Sequence, residues 1–98
     1  MISVCMATYN GSKYIRQQVE SILIQLSFED ELIISDDGSL DETLQVLQEI
    51  GDIRIKIYKN EPPHGVVRNF ENAIKHAGGD YIFLCDQDDV WMPEKVKR

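Results

Sequence analysis

Hydrophobic positions along the chain switch repeatedly between short unbroken runs and helical stripes. Ile2, Val4, Cys5, Met6 and Ala7 follow one another almost without interruption, which predicts a strand over 1–8 covered on both faces. Tyr9-Asn10-Gly11-Ser12 reads as a turn. Ile15, Val19, Ile22, Leu23 and Leu26 then recur at helical spacing, with Arg16, Gln17, Gln18, Glu20 and Gln25 largely off that stripe. Leu32, Ile33 and Ile34 predict a second strand over 31–36, ended by the turn Asp37-Gly38. Ser39-Leu40-Asp41-Glu42 has the form of a capping box opening a second helix, which runs through Leu44, Val46, Leu47 and Ile50 to Gly51.

The third strand is expected over 53–59. Ile53, Ile55 and Ile57 alternate with Arg54, Lys56 and Tyr58, a pattern for a strand near a sheet edge. A loop follows, Asn60-Glu61-Pro62-Pro63-His64-Gly65. Val66, Phe70, Ala73, Ile74 and Ala77 then mark one face of a third helix, stopped by Gly78-Gly79. A fourth strand over 81–85 leads to the acidic segment Asp86-Gln87-Asp88-Asp89, and Pro93 opens another helix. The order β-α-β-α-β-α-β requires right-handed crossovers and predicts an α/β fold, a Rossmann-like parallel sheet with helices on both faces. A helix beginning near Pro93 has only its first turn or so before Arg98, so the 98 residues are expected to be the N-terminal part of a longer domain.

Composition narrows the functions. Ten Lys and Arg against seventeen Asp and Glu give a net charge of −7, and 43% of residues are apolar, an ordinary balance for a globular domain. The acidic balance, with only Lys95, Lys97 and Arg98 grouped, argues against nucleic acid as a ligand. No apolar run approaches the ~20 residues of a transmembrane helix, and no secretory signal opens the chain. Cys5 and Cys85 fall inside predicted strands, where reduced thiols are expected. The glycine-rich fingerprints of P-loop and dinucleotide-binding proteins and the hydrolase nucleophile elbow are absent from the sequence.

Ligands of open parallel sheets bind beyond the carboxyl ends of the strands. Three such ends carry polar groups: Thr8-Tyr9-Asn10, Asp36-Asp37-Gly38-Ser39 and Asp86-Gln87-Asp88-Asp89. The last brings three carboxylates together, which suits Mg²⁺ or Mn²⁺ and would let an acidic protein hold a diphosphate; it equally suits a solvated turn. Asp36 and Asp37 fit hydrogen bonding to a base or ribose, and fit a plain Asp-Gly turn. Thr8-Tyr9-Asn10 could offer backbone groups to a base edge or be a strand-to-helix turn. Ser39 reads as a cap. Arg68 could fork onto a phosphate or pair on the surface with Glu71. His64 has no sequence neighbour that makes it a base or nucleophile. Trp91 suits stacking on a sugar or packing with Met92.

Taken together, Ser3-Val4-Cys5-Met6-Ala7-Thr8-Tyr9-Asn10-Gly11, Asp36-Asp37-Gly38-Ser39-Leu40-Asp41-Glu42-Thr43 and Asp86-Gln87-Asp88-Asp89-Val90-Trp91 resemble family-2 glycosyltransferases of the A-type nucleotide-diphospho-sugar transferase fold, over essentially the whole chain. The resemblance implies metal-dependent, inverting sugar transfer from a nucleotide-diphosphate donor. Thr8, Tyr9, Asp36 and Asp37 would hold base and ribose. Asp86 would contact the donor ribose or sugar, as the first acid of the family's Asp-x-Asp motif. Asp88 would bind Mn²⁺ or Mg²⁺, with Asp89 as a second ligand. Arg68-Asn69 resembles the family's Arg-Asn pair, after a loop shorter than in many members.

Asp-Gln-Asp-Asp-Val-Trp, with Asn69-Phe70-Glu71 upstream, is similar to bacterial rhamnosyltransferase-like members that build cell-surface polysaccharides. That implies a dTDP- or UDP-sugar donor, a glycan or lipid-linked acceptor and a cytoplasmic domain, at the inner face of the membrane if attached. The family's general base lies further downstream, so no catalytic residue is expected within these residues. The family strand order 3-2-1-4 would place Cys5 and Cys85 on neighbouring strands. A nucleotidyltransferase would need a basic glycine-rich loop, of which Tyr9-Asn10-Gly11-Ser12-Lys13 is a poor version. A phospho-receiver would need acids after strands one and three. A non-catalytic carbohydrate-binding or assembly module remains a distinct alternative, separated by metal-dependent nucleotide binding.

Overall fold

β1 (Ile2–Thr8), α1 (Ile15–Leu23), β2 (Glu31–Asp36), α2 (Thr43–Ile50), β3 (Ile55–Lys59), α3 (Val66–Lys75) and β4 (Tyr81–Asp86) follow one another in the computed structural model. It describes residues 1–62 and 64–86, with Asp86 described by its backbone alone. All strand pairs are parallel, in the order β3-β2-β1-β4. β3 lies at an edge, as its alternation predicts. β2, flanked by β1 and β3, is buried along its whole length.

Strand residues alternate between two cores. Val4, Met6, Leu32, Ile34 and Cys85 meet Ile15, Val19, Ile22, Leu23 and Leu26 and, from α2, Leu47. Cys5 and Ile33 pack against Ala73 of α3 on the opposite face. Thus α1 and α2 cover one side and α3 the other, as right-handed crossovers demand. Cys5 and Cys85 stand on neighbouring strands, yet Cys85 is paired with Met6 and Cys5 with Leu84. Their side chains leave opposite faces, and no disulfide joins them. Gln18, on the inner side of α1, is buried with neither side-chain amide atom hydrogen-bonded.

Four expectations are corrected, three of them by a polar residue with a distant partner. β3 begins at Ile55, leaving Ile53 89% exposed. Arg54 does not alternate with the isoleucines. It binds both Asp52 oxygens and donates Nη1 to the Leu23 and Leu26 carbonyls at 3.0 and 2.8 Å, satisfying the end of α1. The inner side of α3 carries Asn69 and Ala73, while Val66 and Val67 are exposed. Asn69 turns inward because its Nδ2 donates to the Thr8 carbonyl at 3.2 Å.

The third correction concerns α2. Its N-cap is Glu42, without a side-chain capping bond, and Ser39 lies outside the helix. Gly78-Gly79 also lies beyond the end of α3 at Lys75. These glycines bring the chain against β1 and β2, where Gly78 donates to Glu31 Oε2 at 2.7 Å and Gly79 to Ser3 Oγ at 2.8 Å.

Candidate nucleotide-sugar site

The carboxyl ends of β1 and β2 are adjacent, with Thr8 opposite Asp36. The loops that leave them are stitched together. Asn10 adopts a left-handed backbone at φ 50°, which asparagine tolerates better than most residues. Its N–H donates to Ser39 Oγ at 2.8 Å, and its Oδ1 accepts the Leu40 N–H at 2.7 Å. Gly11 donates to Thr43 Oγ1 and Ser12 to Asp41. Asp41 also takes the Thr43 N–H and hydroxyl, so it, rather than Ser39, secures the start of α2. The Thr43 hydroxyl bond, ahead of the Thr43 and Ser12 N–H groups, holds the Asp41 carboxyl down to about 2.

Asp36 is the knot beneath these loops. Its Oδ1 accepts Thr8 Oγ1 at 2.7 Å and Ser39 Oγ at 2.6 Å. Its Oδ2 accepts the N–H groups of Ser39 at 2.8 Å and Gly38 at 3.2 Å. Thr8 and Asp36 are both 1% exposed. Their side chains therefore fix the shape of the rim rather than face outward. Tyr9, immediately beyond, is half-exposed.

Asp37 presents its carboxylate differently. Oδ1 accepts Asn60 Nδ2 at 2.9 Å and lies 2.6 Å from His64 Nδ1, while Oδ2 accepts the Gly65 N–H at 2.9 Å. Burial alone would raise its pKa. The bonds from Asn60, Gly65 and His64, with the His64 charge when protonated, outweigh that and hold it below the usual range. The main chain fixes its place further: Asp37 N–H binds the Thr8 carbonyl, and Asn60 N–H binds the Asp36 carbonyl. Gly65 reaches Asp37 at φ 132°, a conformation in which other residues are strained. Asn60, His64 and Gly65 are the site residues that pattern reading missed. His64 meets its partner 27 positions upstream, which only the β2-α2-β3 crossover brings near.

Arg68 lies apart from this knot, on the exposed side of α3. With Lys59, Asn60, Glu61, Glu71 and Lys75 it lines a groove of about 420 Å³. Among the described residues it pairs with no acid, so the surface pair with Glu71 does not form. Asp86 ends β4 beside Ala7, which brings the third strand end to the same edge of the sheet. Asp88, Asp89, Trp91 and the helix expected at Pro93 lie outside the described residues. Among the described residues no group of three His, Cys, Asp or Glu could hold a metal ion, and no helix is long and apolar enough to cross a membrane.

The model of the family described as "Glycosyl transferase family 2" matches residues 3–98. The Escherichia coli UDP-Glc:alpha-D-GlcNAc-diphosphoundecaprenol beta-1,3-glucosyltransferase WfgD is 34% identical over 97 residues, 99% of this chain and 38% of that protein. The Shigella flexneri dTDP-rhamnosyl transferase RfbG is 37% identical over 100 residues, 95% of this chain and 35% of that protein. The chain thus spans little more than a third of either relative. The crystal structure of S. aureus TarS 1-349 in complex with UDP-GlcNAc superposes with a TM-score of 0.87 at 30% identity, over 98% of this chain and 29% of that one. The Pyrobaculum calidifontis mannosyltransferase PcManGT, solved with GDP-Man and Mn²⁺, has a TM-score of 0.87 over 97% of this chain and 30% of its own. At 20% identity it shows a shared fold.

Proposed function

The chain belongs to glycosyltransferase family 2, and from that premise we propose that residues 1–98 form the nucleotide-sugar-binding N-terminal portion of a domain that transfers a sugar from a nucleotide-diphosphate donor to a glycan or lipid-linked acceptor in bacterial cell-surface polysaccharide synthesis. The observation that carries this reading is the Asp37 carboxylate, ionised and fixed by three donors where β1, β2 and β3 end. A carboxylate so held accepts a base N–H without first having to be ordered. Thr8 and Asp36 set the rim from within, Tyr9 stands at its edge, and Arg68 contributes a fork of donors from α3. Asp86 contacts the ribose or sugar of the donor.

Asp88 and Asp89 offer hard carboxylate oxygens, a donor set that fits Mn²⁺ or Mg²⁺. When bound, such an ion offsets charge on a leaving diphosphate. Transfer is a single inverting displacement: the acceptor oxygen attacks the anomeric carbon, the bond to the diphosphate breaks, and a carboxylate downstream of residue 98 takes the acceptor proton. Residues 1–98 alone therefore bind the donor without turning it over.

The test is calorimetric titration of the full-length protein with dTDP and UDP, with and without Mn²⁺, beside Asp88→Asn. Metal-dependent binding that is lost in the variant is expected. A folded protein that binds neither nucleotide would sink the reading and favour a non-catalytic carbohydrate-binding module.

A further inference from the structure

Resting on that nucleotide-sugar reading, the geometry around Asp37 also says which bases the site accepts. A carboxylate offers about four acceptor positions, two on each oxygen. On Asp37, His64 Nδ1 and Asn60 Nδ2 take both positions of Oδ1, and Gly65 N–H takes one of Oδ2. Among the described residues one position remains, on Oδ2. We propose that His64 is a specificity-determining residue: by filling Oδ1 it leaves Asp37 able to accept a single N–H, which selects uracil or thymine against guanine.

The bases differ in what they present. Uracil and thymine offer one ring N–H between two carbonyls. Guanine offers N1–H beside its exocyclic amine, two neighbouring donors that a carboxylate receives with both oxygens. With Oδ1 occupied, guanine leaves one donor buried without a partner, and sites reject ligands strongly on that ground. Cytosine turns a ring lone pair toward the carboxylate, which repels it.

The direction of the His64 bond follows from the chemistry of its partner. Asp37 is held ionised and can only accept, so His64 Nδ1 carries the hydrogen, in the neutral ring and in the charged one alike. The ring also lies against the β2–α2 turn, its Cε1 3.9 Å from where a Cβ on Gly38 would be. Its side chain is 52% exposed, so replacing it opens no core.

The experiment titrates UDP, dTDP and GDP, with Mn²⁺, into the full-length protein and its His64→Ala and His64→Gln variants, with circular dichroism confirming that each is folded. Wild type is expected to bind UDP or dTDP at least about 30-fold more tightly than GDP. His64→Ala should shrink that ratio about tenfold, largely through tighter GDP binding, because a position on Oδ1 is freed. His64→Gln, which can return an N–H to Oδ1, should recover most of the ratio. UDP binding with an unchanged ratio in His64→Ala, or a wild-type preference for GDP, overturns the role of His64 and leaves the nucleotide-sugar reading standing. A folded wild type that binds none of the three overturns both.

Discussion

Gly79 approaches Ser3 so closely that a Cβ on it would lie 2.6 Å from Ser3 Oγ and 2.8 Å from both the Ser3 nitrogen and the Met1 carbonyl. Two of those atoms are backbone, one in β1 and one just before it, and neither can swing aside. Gly79→Ala should therefore destabilise the protein by about 1–3 kcal/mol, the usual cost of overpacking. A chemical denaturation midpoint equal to that of wild type would show that the approach is looser than described.

Glu31 is the buried end of the same junction. It accepts Ser3 Oγ at 2.6 Å, the Gly78 N–H at 2.7 Å and Lys56 Nζ at 2.9 Å. Burial would raise its pKa, but the Gly78, Ser3 and Lys56 bonds outweigh it and hold the carboxyl below 4.5. Its stabilisation is thus complete above the unfolded value of 4.5 and is lost as pH falls through the lower folded value. Glu31→Gln should cost about 1–3 kcal/mol at pH 7 and flatten the loss of stability as pH falls below 4.5, since a carboxamide does not titrate there. Urea midpoints measured across that range would check both; an acid limb as steep as wild type would count against the assignment.

Ser39 and Glu42 separate two accounts of how α2 begins. If they formed a capping box, both substitutions would weaken the helix. In the structure Ser39 serves Asp36 and Asn10, and Glu42 makes no side-chain capping bond. Ser39→Ala should therefore cost about 1–3 kcal/mol by leaving Asp36 one donor short, and weaken nucleotide binding through the loosened rim. Glu42→Gln should stay within about 0.5 kcal/mol of wild type. Equal losses in the two variants would restore the capping box.

The order of strands and helices was legible because β1, β2 and β4 are apolar runs, β3 alternates, and each crossover has one permitted hand. Hidden were the places where polar side chains are spent on distant backbone. Arg54 belongs to the end of α1, Asn69 to β1, and Ser39 to Asp36, and in each case local pattern assigned the residue to its own element. Asp36 and Asp37 were recognisable as a pair, but not their division of labour. One carboxylate is consumed by four donors inside the rim, and the other, among the described residues, keeps an acceptor position open. That difference is set by Asn60, His64 and Gly65, whose proximity exists only once the sheet has formed.

The two cysteines, on adjacent strands but opposite faces, give the sheet a chemical witness on each side. Cys5 is fully buried in the layer under α3, and burial, with the nearby Glu31 charge, pushes its thiol up to about 11. Cys85 belongs to the layer under α1 and α2. A thiol reagent at neutral pH can modify Cys5 only while α3 has lifted away, and Cys85 only while the other layer has parted. The order in which the two are modified is a clock for which helical layer opens first.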